Sequence, residues 1–231
     1  FISVFIFGET FSQNTISLGI KTGASSTNSL FSTSTTTNKY SRTLSIYSVA
    51  EIIAAGGTAG IISKLAWEKN GTGEYLFGDA YIKIYLKHRA DSLWPSSPVP
   101  VWDTEIVNAT EVFTSSNYSF PAGTGWKEIV FTNNFTWNGT DHLVVMVEFY
   151  RPSTPTAEIS WGRSTDASKN ATRVGSTSLS ALVMLINSNR PIVQLTFTTP
   201  SDPLTSLTVS TQASVPAEIN TVGGTLQMVS T

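Results

Sequence analysis

Gly125-Trp126-Lys127-Glu128-Ile129-Val130-Phe131, continued by Phe135-Thr136-Trp137-Asn138-Gly139-Thr140 and by His142-Leu143-Val144-Val145-Met146-Val147-Glu148-Phe149, reads as strand, turn, strand. Two β-rich apolar runs flank an Asn-Gly pair, which reaches positive backbone φ at little cost, so the stretch predicts a β-hairpin. A sandwich assembled from such hairpins follows for the chain as a whole.

Outward from that stretch the same pattern recurs. Arg42 to Tyr47 alternates polar and apolar residues as a half-buried strand does. Further strands are predicted at 60–68, 80–88, 110–114, 126–132, 142–150, 157–163, 182–187 and 192–198, with turn chemistry at Asn70-Gly71, Asn138-Gly139 and Arg190-Pro191. Short strands at this spacing, without crossover helices between them, predict an all-β antiparallel β-sandwich or jelly roll. One short helix is expected. Ser48-Val49-Ala50-Glu51 has the form of a capping box, Ile52 to Ala55 continue it, and Gly56-Gly57 ends it.

The segment 22–38 is rich in Ser, Thr and Asn, and predicts either a flexible entry segment or a long loop lying over the sandwich. Thr199-Pro200-Ser201-Asp202-Pro203 disfavours helix and central strand alike, so residues 200–203 are read as a linker closing a 13–199 domain. Residues 204–231 contain Leu207 to Ser210 and Gly223 to Met228, which predict at least two strands but too little chain for a separate core. At the other end, Phe1 to Phe7 is apolar, Gly8 ends the run, and Thr10-Phe11-Ser12-Gln13 follows. Residues 1–12 therefore read as the remnant of a secretory signal peptide cleaved after Ser12, with a first β-strand as the competing reading.

Composition excludes several classes. The chain has 31 serines and 32 threonines against 13% charged residues, which suits exposed sheet faces better than charged helices. A net charge of −2 and the lack of any Lys/Arg run leave no footprint for a phosphate backbone, so no nucleic-acid partner is expected. The absence of cysteine removes disulfides, thiolate metal sites and a cysteine nucleophile together. No apolar run reaches the ~18 to 20 residues of a membrane-spanning helix, so no membrane-spanning segment is expected.

The order Ser45-Ile46-Tyr47, Glu51-Ile52, Ala54-Ala55-Gly56, Ile61-Ile62, Ile82 to His88 and the 126–145 stretch resembles a β-sandwich module of secreted multidomain proteins of the Bacteroidetes, many exported by the type IX secretion system. The resemblance covers residues 16–199. The run Gly223-Gly224-Thr225-Leu226-Gln227-Met228 is similar to the opening strands of a bacterial immunoglobulin-like group 2 domain, making the tail a partial immunoglobulin-like domain. Together the two resemblances imply the amino-terminal piece of a longer exported surface protein, secreted or held at the cell surface.

Residues able to do chemistry are few. His88 and His142 stand in no catalytic or metal-ligand spacing and read as hydrogen-bonded strand-edge histidines. No Gly-x-Ser-x-Gly elbow occurs. Glu105 with Glu111, or Asp79 with Glu74, offer carboxylate pairs of the kind glycoside hydrolysis needs, although most such groups are solvated. With no Asp-x-Asp-x-Asp-Gly loop, no metal and no cofactor are assigned. The Pro-rich segment from Asp91 to Trp102 carries the ligand-binding candidates Trp94 and Trp102. Their indoles either stack on sugar rings from an exposed loop or fold back to cover a sandwich edge. Trp126 and Trp137 are assigned to core or hairpin packing, and Trp161 is left open. Six Asn-x-Ser/Thr sequons begin at Asn70, Asn108, Asn117, Asn134, Asn138 and Asn170, a number expected from the Ser/Thr content. Asp91-Ser92-Leu93 is similar to the short O-glycosylation motif of the Bacteroidetes, with Ser92 as acceptor.

The reading is thus of a non-enzymatic module of an exported surface protein, in adhesion or in filament or surface-layer architecture. Its expected partners are a glycan or neighbouring surface-protein subunits, including homo-oligomers. Two alternatives stand beside it: a carbohydrate-binding module using the Trp loop, and the accessory amino-terminal domain of a secreted hydrolase.

Overall fold

The computed structural model describes residues 11–27, 30–35, 37–176, 183–200, 217–222 and 225–230. Two compact units divide the chain, one of them Gln13–Thr199. In it β1 (Phe11–Leu18), β2 (Gly23–Ser25), β3 (Tyr40–Tyr47), α1 (Val49–Ala54), β4 (Gly60–Asn70) and β5 (Tyr75–Arg89) precede α2 (Trp102–Glu105). There follow β6 (Thr110–Phe120), β7 (Gly125–Trp137), β8 (His142–Tyr150), β9 (Ser160–Gly175), β10 (Leu185–Pro191) and β11 (Val193–Pro200). The architecture is an all-β antiparallel sandwich. Two short helices, not one, occur among the described residues. The second, α2, arises inside the Pro-rich insertion, where Glu105 N–H and Ile106 N–H donate to the Val101 and Trp102 carbonyls.

The strands hydrogen-bond in the order β1-β11-β4-β9-β3-β8-β5-β6, with β7 on the free side of β4 and β2 and β10 on β9. The long β9 turns the sheet back on itself. Its start pairs with the end of β4 at Lys69↔Trp161, and its end pairs with β3 at Ser45↔Asn170. Between the two pairings, Ser168 adopts a positive φ of 56°. One layer is therefore β9-β3-β8-β5-β6, and the other β1-β11-β4-β7.

The predicted hairpin is corrected by this order. The strands and turn occur where expected, but β7 pairs with β4 whereas β8 pairs with β3 and β5, so the two strands lie in opposite layers. Residues 138–141 form an arch between them. The Asn138 carboxamide oxygen accepts from the N–H groups of Thr140 and Asp141, and the Trp137 indole donates to the Asp141 carbonyl at 2.8 Å. Gly139 holds φ at 79°, and a Cβ there would stand 2.9 Å from that of Ala59. Turn chemistry fixes where a chain reverses, not which strand each arm will pair with.

Between the layers lies a core of aliphatic and aromatic side chains drawn from most strands, including Leu65, Ile82, Ile84, Ile129, Val145, Val147 and Leu195. The Ser/Thr-rich 22–38 segment takes the loop alternative. Phe31 inserts into this core with ring centroids 5.0 Å from Trp161, 5.1 Å from Phe120, 5.2 Å from Phe149 and 5.4 Å from Trp67. Burying one such ring stabilises by about 1.5–3 kcal/mol. The fully buried Arg151 then pins the segment's polar backbone by donating to the carbonyls of Ser32, Ser34 and Asn38.

α1 begins with the expected capping box, Ser48 accepting from the Glu51 N–H and Glu51 accepting from the Ser48 N–H. It ends in a Schellman motif: Gly56 lies at φ 92°, and the Gly56 and Gly57 N–H groups donate to Ile53 and Ile52. Residues 1–10 of the expected signal-peptide segment lie outside the described residues, and its last two residues begin β1. In the other unit, β12 (Ala217–Val222) pairs antiparallel with β13 (Thr225–Ser230), with Val222 opposite Thr225. The predicted strand at 207–210 and the linker residues 201–203 lie outside the described residues.

Candidate functional site

β8 is apolar on both faces. Leu143, Val145, Val147 and Phe149 point into the core between the layers, while Val144 and Met146 point out, beside Leu44 and Ile46 of β3 and Ala171 of β9. Such a face cannot stay in water without cost, and the Pro-rich insertion covers it. Trp94 and Trp102 lie on these residues and are 2% and 3% exposed. Of the two placements open to them, both fold back. The backbone N–H of Trp94 donates to the carbonyl of Ser168 at 2.7 Å, and the backbone N–H of Met184 donates to that of Pro100. These bonds tie the insertion to the kink of β9 and to the segment before β10.

The indole faces that would stack on sugar are occupied. The Arg89 guanidinium lies 4.4 Å from the Trp94 ring centroid and that of Arg42 lies 4.9 Å from Trp102. Each arginine is held in place by acids, Arg42 by Glu148 at 2.6 Å and Arg89 by Glu105 at 3.2 Å and Asp91 at 3.3 Å. Cation–π contact adds about 0.5–2 kcal/mol to the burial of each ring. Ser92 is half-buried on the rim of a groove of about 590 Å³, lined by Ala90, Asp91, Leu93, Trp94, Pro95 and His142 as well.

The remaining chemical candidates are engaged in holding the fold. His142 Nδ1 accepts from the Val49 N–H at the start of α1, and His88 Nε2 accepts from the Asn138 N–H in the arch. Glu105 pairs with Arg89, and Glu111 pairs with Lys83 at 3.2 Å. Asp79 accepts from the Tyr75 hydroxyl and from Ser153 Oγ. Burial, then the bond to Asp79, pushes the Tyr75 phenol up to about 12. Among the described residues no group of three or more His, Asp or Glu is placed to hold a metal ion.

A cluster of four charges joins α1 to β9 and β10. Arg190 is 1% exposed and reaches Glu51 at 2.6 Å and Asp166 at 3.0 Å; Lys169 reaches Glu51 at 2.9 Å. Burial works to raise the Glu51 carboxyl, but hydrogen bonds from Arg190, Ser48 and Lys169 hold it well below the usual carboxylate range. The same cluster buries the Tyr47 hydroxyl, which donates to the Pro191 carbonyl at 2.6 Å. Of the sequons, Asn170 is fully buried, accepting from Ser45 and donating to Asn187 and Asn189, whereas Asn108, Asn117, Asn134 and Asn138 are exposed.

Trp137 and Trp161 pack in the core, whereas Trp126, assigned with Trp137 to core or hairpin packing, is 39% exposed and outside the core. It stands on the outer face of β4 and β7. The signal was present in the sequence: Ile129 and Phe131 point inward, so strand alternation turns 126, 128 and 130 outward. No family model matches the chain, and no curated protein matches it.

Proposed function

We propose that the chain is a non-catalytic module of an exported bacterial cell-surface protein, serving adhesion or extracellular surface or filament architecture. The observation that carries this reading is the use of chemically capable side chains as fasteners: both histidines accept from backbone N–H groups, and Glu51, Glu105 and Arg190 clamp elements together. An antiparallel sandwich with a Ser/Thr-rich surface supports it further, as does the resemblance to secreted Bacteroidetes modules. Ser92, half-buried on its groove rim, is the proposed acceptor for O-glycosylation. The immunoglobulin-like character of the tail, with β12 and β13 as its described strands, belongs to the same proposal. No helix among the described residues is long and apolar enough to cross a membrane.

Antibody raised against the 231-residue chain tests this reading on intact, unpermeabilised producing cells. Surface labelling that is lost on mild external proteolysis is the expected result. Recovery of all the antigen from the cytosol, protected from protease until lysis, overturns it.

A further inference from the structure

We propose that the outer face of β1, β11, β4 and β7 binds an uncharged polysaccharide, with the Trp126 indole as its stacking platform. The inference rests on the adhesion reading and supplies the chemistry of what is adhered to. Five of the six tryptophans are 3% exposed or less, and Trp126 stands apart at 39%. An indole left in water forgoes the stabilisation its area would bring on burial, and an occupant that covers it recovers that free energy.

The surroundings of that ring are ordered in rows across the strands. Trp126 faces Glu68; Glu128 faces Ala66, which faces Gln194; Val130 faces Lys64, which faces Thr196. The last two rows continue onto β1, where Ser17 accepts from Gln194 at 3.2 Å and Thr15 bonds Thr196 at 2.9 Å. Four strands about 4.8 Å apart give a shelf roughly 14 Å across. It is lined by hydroxyl, amide and carboxylate groups, with the aromatic at one margin.

Charge and apolar area select the occupant. The acids of this face each have a basic partner, Glu68 with Lys21 at 2.6 Å and Glu128 with Lys64 at 3.4 Å, so it offers no net charge to a polyanion or a basic peptide. Its large exposed apolar side chains are Trp126 and Val130, too sparse for the apolar centre of a protein interface of ~800 Å² per partner. A pyranose fits both facts: its C–H face lies on an indole, and its hydroxyls exchange hydrogen bonds with groups such as Glu68 and Gln194.

Co-sedimentation of the full chain with microcrystalline cellulose, insoluble chitin, curdlan and insoluble mannan tests this, beside Trp126→Ala and Trp126→Phe variants whose unchanged melting confirms their folding. Retention on at least one polymer is expected, unaffected by 1 M NaCl, weakened at least tenfold in Trp126→Ala and partly kept in Trp126→Phe. Lack of retention on all four overturns the proposal. So do equal retention of Trp126→Ala, binding abolished by salt, and a solution dimer that Trp126→Ala dissociates. A chain found at the cell surface that binds none of the four removes this inference and leaves the surface reading standing. Glycan binding by a chain confined to the cytosol does the reverse.

Discussion

The two outer faces of the sandwich are made of the same kind of strand and meet opposite fates. Outside β3, β8 and β9, the chain presents Leu44, Ile46, Val144, Met146 and Ala171, and the Pro-rich insertion comes down over them with two tryptophans. Outside β11, β4 and β7 it presents Gln194, Lys64, Glu68 and Glu128, and a third tryptophan stays in water. The residue type does not decide exposure; the chemistry of the face beneath it does. An apolar outer face recruits a cover, because leaving it wet costs ~25 cal/mol per Å², whereas a hydroxyl-rich face with paired ions is satisfied by solvent.

The sharpest way to break that contrast is to remove the cover. Trp94→Ala and Trp102→Ala are each expected to cost about 3–5 kcal/mol, read as a lower midpoint in urea unfolding. A variant with an unchanged midpoint would show that these indoles do not hold the sheet. Next in size is the ionic clamp beside the covered face. Arg190→Met takes the buried partner from Glu51 and Asp166, leaving Glu51 to Lys169 and Ser48, and is expected to cost about 2–3 kcal/mol, measured the same way.

Acid reaches the same clamp. Because Glu51 is depressed when folded, its contribution is complete above its unfolded value of ~4.3 and is lost progressively as pH falls below that value. Stability measured from pH 6 down to pH 2 is expected to fall, and to fall less steeply in Glu51→Gln. Equal slopes would remove Glu51 from the account. A smaller effect is expected at the arch, where Gly139→Ala meets both positive φ and the Ala59 side chain, at a cost of about 1–2 kcal/mol. Smallest of all, Trp126→Ala is expected to stay within about 0.5 kcal/mol of the parent in unfolding. A loss comparable to that of Trp94→Ala would erase the distinction between the two faces.

Much of the fold was legible because the signals are local. The capping box at Ser48 and Glu51, the reversal at Asn138-Gly139 and the alternation of most strands need only near neighbours in sequence. Partner choice is not local. The 126–149 stretch reads as a hairpin, and only the apolar demands of β4 on one side and of β3 and β5 on the other place its arms in separate layers. The second half of β9 was missed for a different reason: Lys169-Asn170-Ala171-Thr172 looks like a loop by composition. It is a strand because the Asn170 carboxamide finds Ser45, Asn187 and Asn189 in the interior.

At the candidate site the continuous run Leu143 to Val147 is the pattern of a strand buried on both faces, a signal that the strand assignment at 142–150 did not use. The two fates open to Trp94 and Trp102 could not be separated without knowing that the nearest segment rich in tryptophan covers that strand. Trp126 was readable from strand parity alone.

The pairing of β1 with β11 bears on how the Gln13–Thr199 unit would behave under load. Thr15 meets Thr196 and Ser17 meets Gln194, so the strands run antiparallel and residues 13 and 199 depart from the same end of one ladder. Tension applied through those two points peels that ladder open one rung at a time instead of shearing all its rungs together. Under such a pull this pair of strands is the element expected to yield first, a mechanical fuse ahead of the sandwich core.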